Sequence, residues 1–173
     1  MIFAAQRAGQ EGPQATAAGG AMGGAGAVDI ASMSPRERAS RLFDRVMRLQ
    51  TQGKTDSATF FASMALGVYE SLGPLDADLR YDYGRIAEVG GNLDIAQAQA
   101  DSILLQSPDH LLGLILASSV AAARNQDDRV AALNSRLLAA EAAQLATGLQ
   151  EYVLHRTDID AAIAAARRRQ AGA

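Results

Sequence analysis

The sequence predicts an all-α protein, and three observations carry that expectation: an alanine-heavy composition, apolar residues recurring at three- and four-residue steps, and a recurrence of the whole pattern roughly every 34 residues. Hydrophobic residues make up 49% of the 173 positions but aromatics only 5%, with no Trp, so the expected helices pack closely through small side chains. A formal net charge of -3 offers no electropositive field for phosphates, and nucleic acid is not an expected partner. The absence of cysteine excludes disulfides, thiolate metal sites and a Cys nucleophile together. No stretch approaches the roughly twenty apolar residues of a membrane span, so the expectation is a soluble domain, cytoplasmic or periplasmic. Any membrane association is expected only through partners or an anchor upstream of Met1.

Residues 1–33 are rich in Gly and Ala and carry no periodic large apolar residues, so they read as a flexible N-terminal tail. An ordered version of such a tail would have to lie against a partner's surface. Folded structure begins at Ser34-Pro35-Arg36-Glu37, a capping box with Pro at the first helical position. Ala39, Leu42, Phe43, Val46 and Met47 give the first helix its apolar stripe, and Gly53 ends it. A second helix runs from about Asp56 to Gly73-Pro74 with Ala58, Phe61, Ala62, Ala65, Leu66 and Tyr69 on one side. Asp76 caps a third, which Gly90-Gly91 breaks. A fourth stops before Pro108, a fifth spans about Asp109 to Arg124, and a sixth about Asp127 to Ala146. After Thr147-Gly148 a seventh and last helix carries Tyr152, Val153, His155, Ile159 and Ile163 to a basic end at Arg167–Arg169.

Gly84, Gly91, Ala96, Ile103 and Leu104 align with Ser118, Asn125, Val130, Leu137 and Leu138, 34 residues on. Stepping back 38 residues from Gly91, Ala96, Ile103 and Leu104 reaches Gly53, Ala58, Ala65 and Leu66, so three helix pairs result. The middle unit, DADLRYDYGRIAEVGGNLDIAQAQADSILLQSPDH, resembles the tetratricopeptide repeat family. Gly84 stands at that family's small position, Ala87 at the next helix contact, Gly91 at the turn, Ala96 at the tight contact and Pro108 at the closing position. The third unit departs from the pattern at Ser118 and Asn125 and lacks a closing Pro, and the first has Arg45 and Val46 instead of the usual pair. The resemblance implies a right-handed superhelix of about three helix-turn-helix pairs over residues 34–146, followed by a C-terminal capping helix and basic end over 147–173.

Candidate chemistry is sparse. His110 reads as a first-turn surface residue and His155 as a packed or edge histidine, with no metal-ligand spacing around either. Asp76, Asp78 and Asp82 lie near helix starts, where capping and the helix dipole account for them. Ser118-Ser119 falls mid-helix with no base nearby in sequence, and Gly90-Gly91-Asn92 follows no strand. Neither a catalytic residue nor a cofactor or metal is expected.

What the resemblance implies is a protein partner, received on the concave surface that the first helix of each pair lines. Transferred position by position, that lining is Phe43 and Met47, then Tyr81, Arg85 and Glu88, then Leu112, Ile115, Leu116 and Ser119. The Lys and Asn with which some members clamp a terminal carboxylate are absent, Tyr81 and Arg85 standing in those places. Leu111–Ala117 is apolar around its whole circumference, and three aliphatic side chains left wet would forgo roughly 1.5–3 kcal/mol each. Two alternatives for the cover stay open: a partner segment, tail or second copy in the groove, or the last helix folded over it. Two functions are expected as alternatives, an interaction scaffold or an accessory subunit of a larger, possibly membrane, complex with its tail along neighbouring subunits, and an ordered tail would favour the second.

Overall fold

The computed structural model describes residues 33–172, and over that span it is built of eight helices in three pairs and a C-terminal couple. The pairs are α1 (Pro35–Thr51) with α2 (Thr55–Glu70), α3 (Ala77–Val89) with α4 (Leu93–Gln106), and α5 (Leu111–Ala123) with α6 (Asp127–Leu145). The couple is α7 (Gln150–Leu154) and α8 (Arg156–Ala171). Among the described residues there is no strand, as composition led us to expect. The expected flexible tail lies outside the described residues except for Met33.

Each start and stop has a local cause. Ser34 Oγ accepts from the Glu37 amide at 3.2 Å while the Glu37 carboxylate accepts from the Ser34 amide at 2.7 Å, closing the capping box that starts α1. Asp76 Oδ1 accepts from the Leu79 amide at 2.9 Å and starts α3. The first helix of each pair ends in the same way. Gly53, Gly91 and Asn125 all take positive φ, at 69°, 77° and 55°. One residue on, Lys54, Asn92 and Gln126 donate their amides back to the carbonyls of Leu49, Ala87 and Ala121. These are the positions that the 34- and 38-residue offsets align, so the recurrence in the sequence is a recurrence of turn geometry.

From α1 to α6 consecutive helices pack on one another, and the first helices also touch in a row, α1 on α3 and α3 on α5. One close approach fixes the α3–α5 step of that row, and another seats α5 on α4. A Cβ at Gly84 would sit 2.3 Å from Leu116 Cδ2, and one at Gly113 would sit 2.9 Å from Ile103 Cγ2 and Leu104 Cδ2. Glycine is therefore required at Gly84 for α3 and α5 to meet. Gly84→Ala is expected to cost about 1–3 kcal/mol in urea unfolding, because Leu116 has no exposed space to move into. The double variant Gly84→Ala with Leu116→Val should recover part of that loss; purely additive losses would mean that the two residues do not meet.

The expected seventh helix is two helices. The chain breaks at His155 (φ -101°, ψ 24°), and the break lets Tyr152 reach the start of α5 while Ile159 and Ile163 enter the core beside α5 and α6. The all-round apolar run Leu111–Ala117 is consequently buried throughout, between α3, α4, α6 and α8.

Candidate partner-binding face

The first helices α1, α3 and α5 form one continuous face, and α7–α8 crosses it. Ile159, Ile163 and Ala166, spaced i, i+4 and i+7, are the buried residues of α8. Tyr152 joins them in the core, and Leu149 and Ala162 pack against it. Polar contacts complete the hold. Tyr81 Oη donates to Asp158 Oδ2 at 3.0 Å. Tyr152 Oη accepts from the Leu111 amide at 3.1 Å and donates to Gln144 Oε1 at 2.8 Å. Outside the face, Arg167 pairs with Glu141 on α6 at 2.6 Å.

His155 is the centre of this arrangement. Its Nε2 lies 3.0 Å from Asp78 Oδ1 and 3.4 Å from Asp82 Oδ1, and its ring meets those of Tyr81 and Phe43 edge-on at centroid distances of 4.7 and 5.8 Å. Asp82 also accepts from Tyr69 Oη on α2 at 3.1 Å, and Asp78 from Arg36 on α1 at 2.9 Å. Burial pushes Asp82 up to about 7, against the pull of the His155 charge. The His155 hydrogen bond holds Asp78 below the ordinary carboxylate value. Burial works against a charged His155, but its bond to Asp78 and the charges of Asp82, Asp78 and Asp158 together raise its pKa above the ordinary value.

Beyond Asp158 the face is less well filled. A cavity of about 320 Å³ lies between α8 and α3, α5 and α6, bounded by Arg85, Ile115, Ser118, Ser119, Asn134, Asp158 and the alanines Ala161, Ala162 and Ala165. A second, of about 530 Å³, continues between α6 and the end of α8, past Val130, Ser135, Leu138, Arg168 and Arg169. Arg85 Nε sits 3.4 Å from Glu88 Oε2 without a hydrogen-bond partner among the described residues. Burial opposes the Arg85 charge, yet Tyr81, Glu88 and Asp158 more than offset it, raising its pKa. Burial raises Glu88 against the pull of Arg85 and of the Ser119 hydroxyl.

The nine residues expected to line a concave groove thus divide. Phe43, Met47, Arg85, Glu88 and Ser119 are half-buried on the face, and Ile115, although buried, borders the cavity. Tyr81, Leu112 and Leu116 are fully buried in the core, so their expected place on an open lining is corrected. The cause is α8, together with the close crossing of α3 and α5 that draws Leu116 against Gly84. His110 is likewise not a surface residue. It is buried, its ring packs on Tyr152 at 5.0 Å, and its Nε2 lies 3.4 Å from Glu151. Asp78 and Asp82 are not caps, since only Asp76 bonds a first-turn amide of α3.

His155 with two aspartates has the composition of an acid–base centre, but the histidine and Asp82 are buried, and among the described residues no serine or threonine hydroxyl bonds either. Among the described residues no three His, Cys, Asp or Glu side chains are grouped to hold a metal ion. No described helix is long and apolar enough to cross a membrane.

The described chain is thus an all-helical array of three similar helix pairs with its first-helix face occupied. No protein-family model matches the sequence. No curated protein matches it either. Among solved structures it is similar to the Yersinia enterocolitica type III secretion chaperone SycD, crystallised in complex with a peptide of the translocator YopD, at a TM-score of 0.41 and 11% identity. That match covers 78% of this chain and 95% of the chaperone chain, and at this score and identity it carries no weight for function.

Proposed function

We propose that this protein is a non-catalytic interaction scaffold that receives a segment of a partner protein on the α1–α3–α5 face. One observation carries the reading: the face holds a helix of the chain itself, gripped by two isoleucines and two polar clusters. A surface that accommodates one amphipathic helix has the shape and chemistry to accommodate another. In this reading Phe43, Met47, Arg85, Glu88, Ile115 and Ser119 touch the partner, and Tyr81, Leu112 and Leu116 support them from beneath. Residues 34–146 form the tetratricopeptide-like part, 147–173 its cap, and 1–33 a tether. No cofactor, metal or nucleic acid enters this function, and a membrane is approached only through partners.

Site-specific photo-crosslinking in the native source tests it. A crosslinker at Ser119 should give discrete adducts with a partner protein, whereas one at Ala143, exposed on α6, should not. Adducts from Ala143 alone would overturn the reading.

A second reading, a permanent subunit of a larger assembly, is favoured by Phe60 and Met64. These large apolar side chains, one turn apart on α2, are 61% and 51% exposed. A fixed stoichiometric set of subunits co-purifying with the chain, with adducts from Phe60, would support it.

A further inference from the structure

The C-terminal helix fits the face it covers only at one end. Near α3 its joint with α7 is packed and hydrogen-bonded at His155 and Asp158, but further along it presents Ala161, Ala162 and Ala165 to a cavity of about 320 Å³. The space in front of Ala162 and Ala165 would hold side chains larger than methyl, and a helix that supplied them would fill what α8 leaves empty. Only two side chains of α8 larger than alanine are buried, Ile159 and Ile163, whereas α5 beneath it buries Leu111, Leu112, Leu114, Ile115, Leu116 and Val120. α8 meets α5 and α6 over less contact than the two helices of each pair share, which makes it a candidate for local opening while the three pairs stay folded.

We propose that α8 is an exchangeable resident of the partner site: an amphipathic helix of a partner displaces it, matching Ile159 and Ile163 at i and i+4, Asp158 at i−1 for Tyr81, and filling the cavity with residues larger than alanine at i+3 and i+6. His155, wedged between Asp78 and Asp82, is the latch that sets how tightly the resident is held. The inference rests on the scaffold reading and adds the partner's chemistry and its regulation. The groups facing His155 from each packed element are Asp78, Tyr81 and Asp82 on α3, Phe43 on α1 and Asp158 on α8. Behind them stand Arg36 on α1, bonded to Asp78, and Tyr69 on α2, bonded to Asp82, with Asp44 adding negative charge towards Asp82. Docking the couple lets His155 hold its proton more firmly, because its bond to Asp78 and the charges of Asp82, Asp78 and Asp158 outweigh the cost of its burial, so the resident is released as pH rises.

The probe is a fluorescein-labelled peptide with the sequence of residues 149–171, added in trans to the full chain and followed by anisotropy. The full-chain variant Ile159→Ser/Ile163→Ser, whose own helix is weakened, should bind it at least about tenfold more tightly than the wild type does. A peptide carrying Leu at the Ala162 position should bind tighter still, and one with both isoleucines replaced by Ser should not bind. If the double variant fails to fold, the full chain with His155→Gln/Asp158→Asn, which loosens the polar hold alone, takes its place. Hydrogen exchange on the wild type gives the second measurement: α8 amides should exchange through local opening at least tenfold faster than α5 amides, more so at pH 8.5 than at pH 6 after correction for intrinsic rates. No peptide binding to a folded variant, or α8 exchanging only with α5, overturns the proposal and makes α8 a permanent cap. If the peptide fails while Ser119 adducts still form, the exchange is wrong and the scaffold reading stands. If the peptide binds but no Ser119 adduct forms, α8 opens as proposed, but the partner that displaces it falls with the scaffold reading.

Discussion

Replacing Leu116 by Ser should lower the unfolding free energy by about 3–5 kcal/mol, a large share of the total for a domain of this size. Leu116 is fully buried and its Cδ2 occupies the space left by the missing side chain of Gly84. Removing the isobutyl group leaves a cavity at the α3–α5 crossing, and the new hydroxyl there has to find a hydrogen-bond partner. Urea titration followed by far-UV circular dichroism measures the effect. Ser119→Ala, half-buried three residues along the same helix, should stay within about 0.5 kcal/mol of the wild type. An equally small effect for Leu116→Ser would place that residue on an open surface, one of the two alternatives that the sequence left open, and would contradict its burial beneath α8.

The second large effect is at His155, and its sign depends on pH. His155→Ala leaves Asp78 and Asp82 without their shared cation, and the expected cost near pH 6 is about 1–3 kcal/mol. His155 has a folded pKa raised above its ordinary 6.5, so its contribution is fully present below 6.5 and is lost as pH rises through the raised value. Asp82, raised from 3.8 to about 7, acts in the same direction. The folded state holds its proton more firmly, so stability declines as pH climbs from about 4 to about 7. Asp78 is lowered, which stabilises the fold above 3.8 and is lost only in stronger acid. The cluster's contribution should therefore decline from pH 5 to pH 8.5, while His110, which burial holds below its ordinary value, acts in the opposite direction over the same interval. Across that range the cost of His155→Ala should shrink, and Asp82→Asn should flatten the decline and raise the urea midpoint at pH 8. A cost of His155→Ala that stays constant or grows from pH 5 to pH 8.5 would show that the histidine and the two aspartates are not coupled as drawn.

Most of the local architecture is readable from short-range chemistry. The Ser34–Glu37 box, the Asp76 cap and the turns at Gly53, Gly91 and Asn125 each depend on bonds spanning three to five residues. The same holds for the three pairs, since Ala58, Ala96 and Val130 bury at equivalent places once the turns are aligned. The candidate face was legible in part: Phe43, Met47, Arg85, Glu88 and Ser119 lie where their repeat positions put them, on the first helices. Tyr81, Leu112 and Leu116 share those helices, yet a repeat position does not state how deep a side chain will sit.

What tertiary structure alone decided is the course of residues 149–171 and everything that follows from it. His155 meets Asp78 across 77 residues, as Tyr81 does Asp158, and Tyr152 meets Leu111 across 41. No local pattern encodes such pairings, because a histidine on an apolar stripe and an aspartate in a first helical turn have adequate explanations within their own helices. Their roles appear only when burial removes water from both at once. The isolated charges then become costly, the paired ones become a latch, and of the two covers that the sequence left open for this face, burial and pairing select the chain's own last helix.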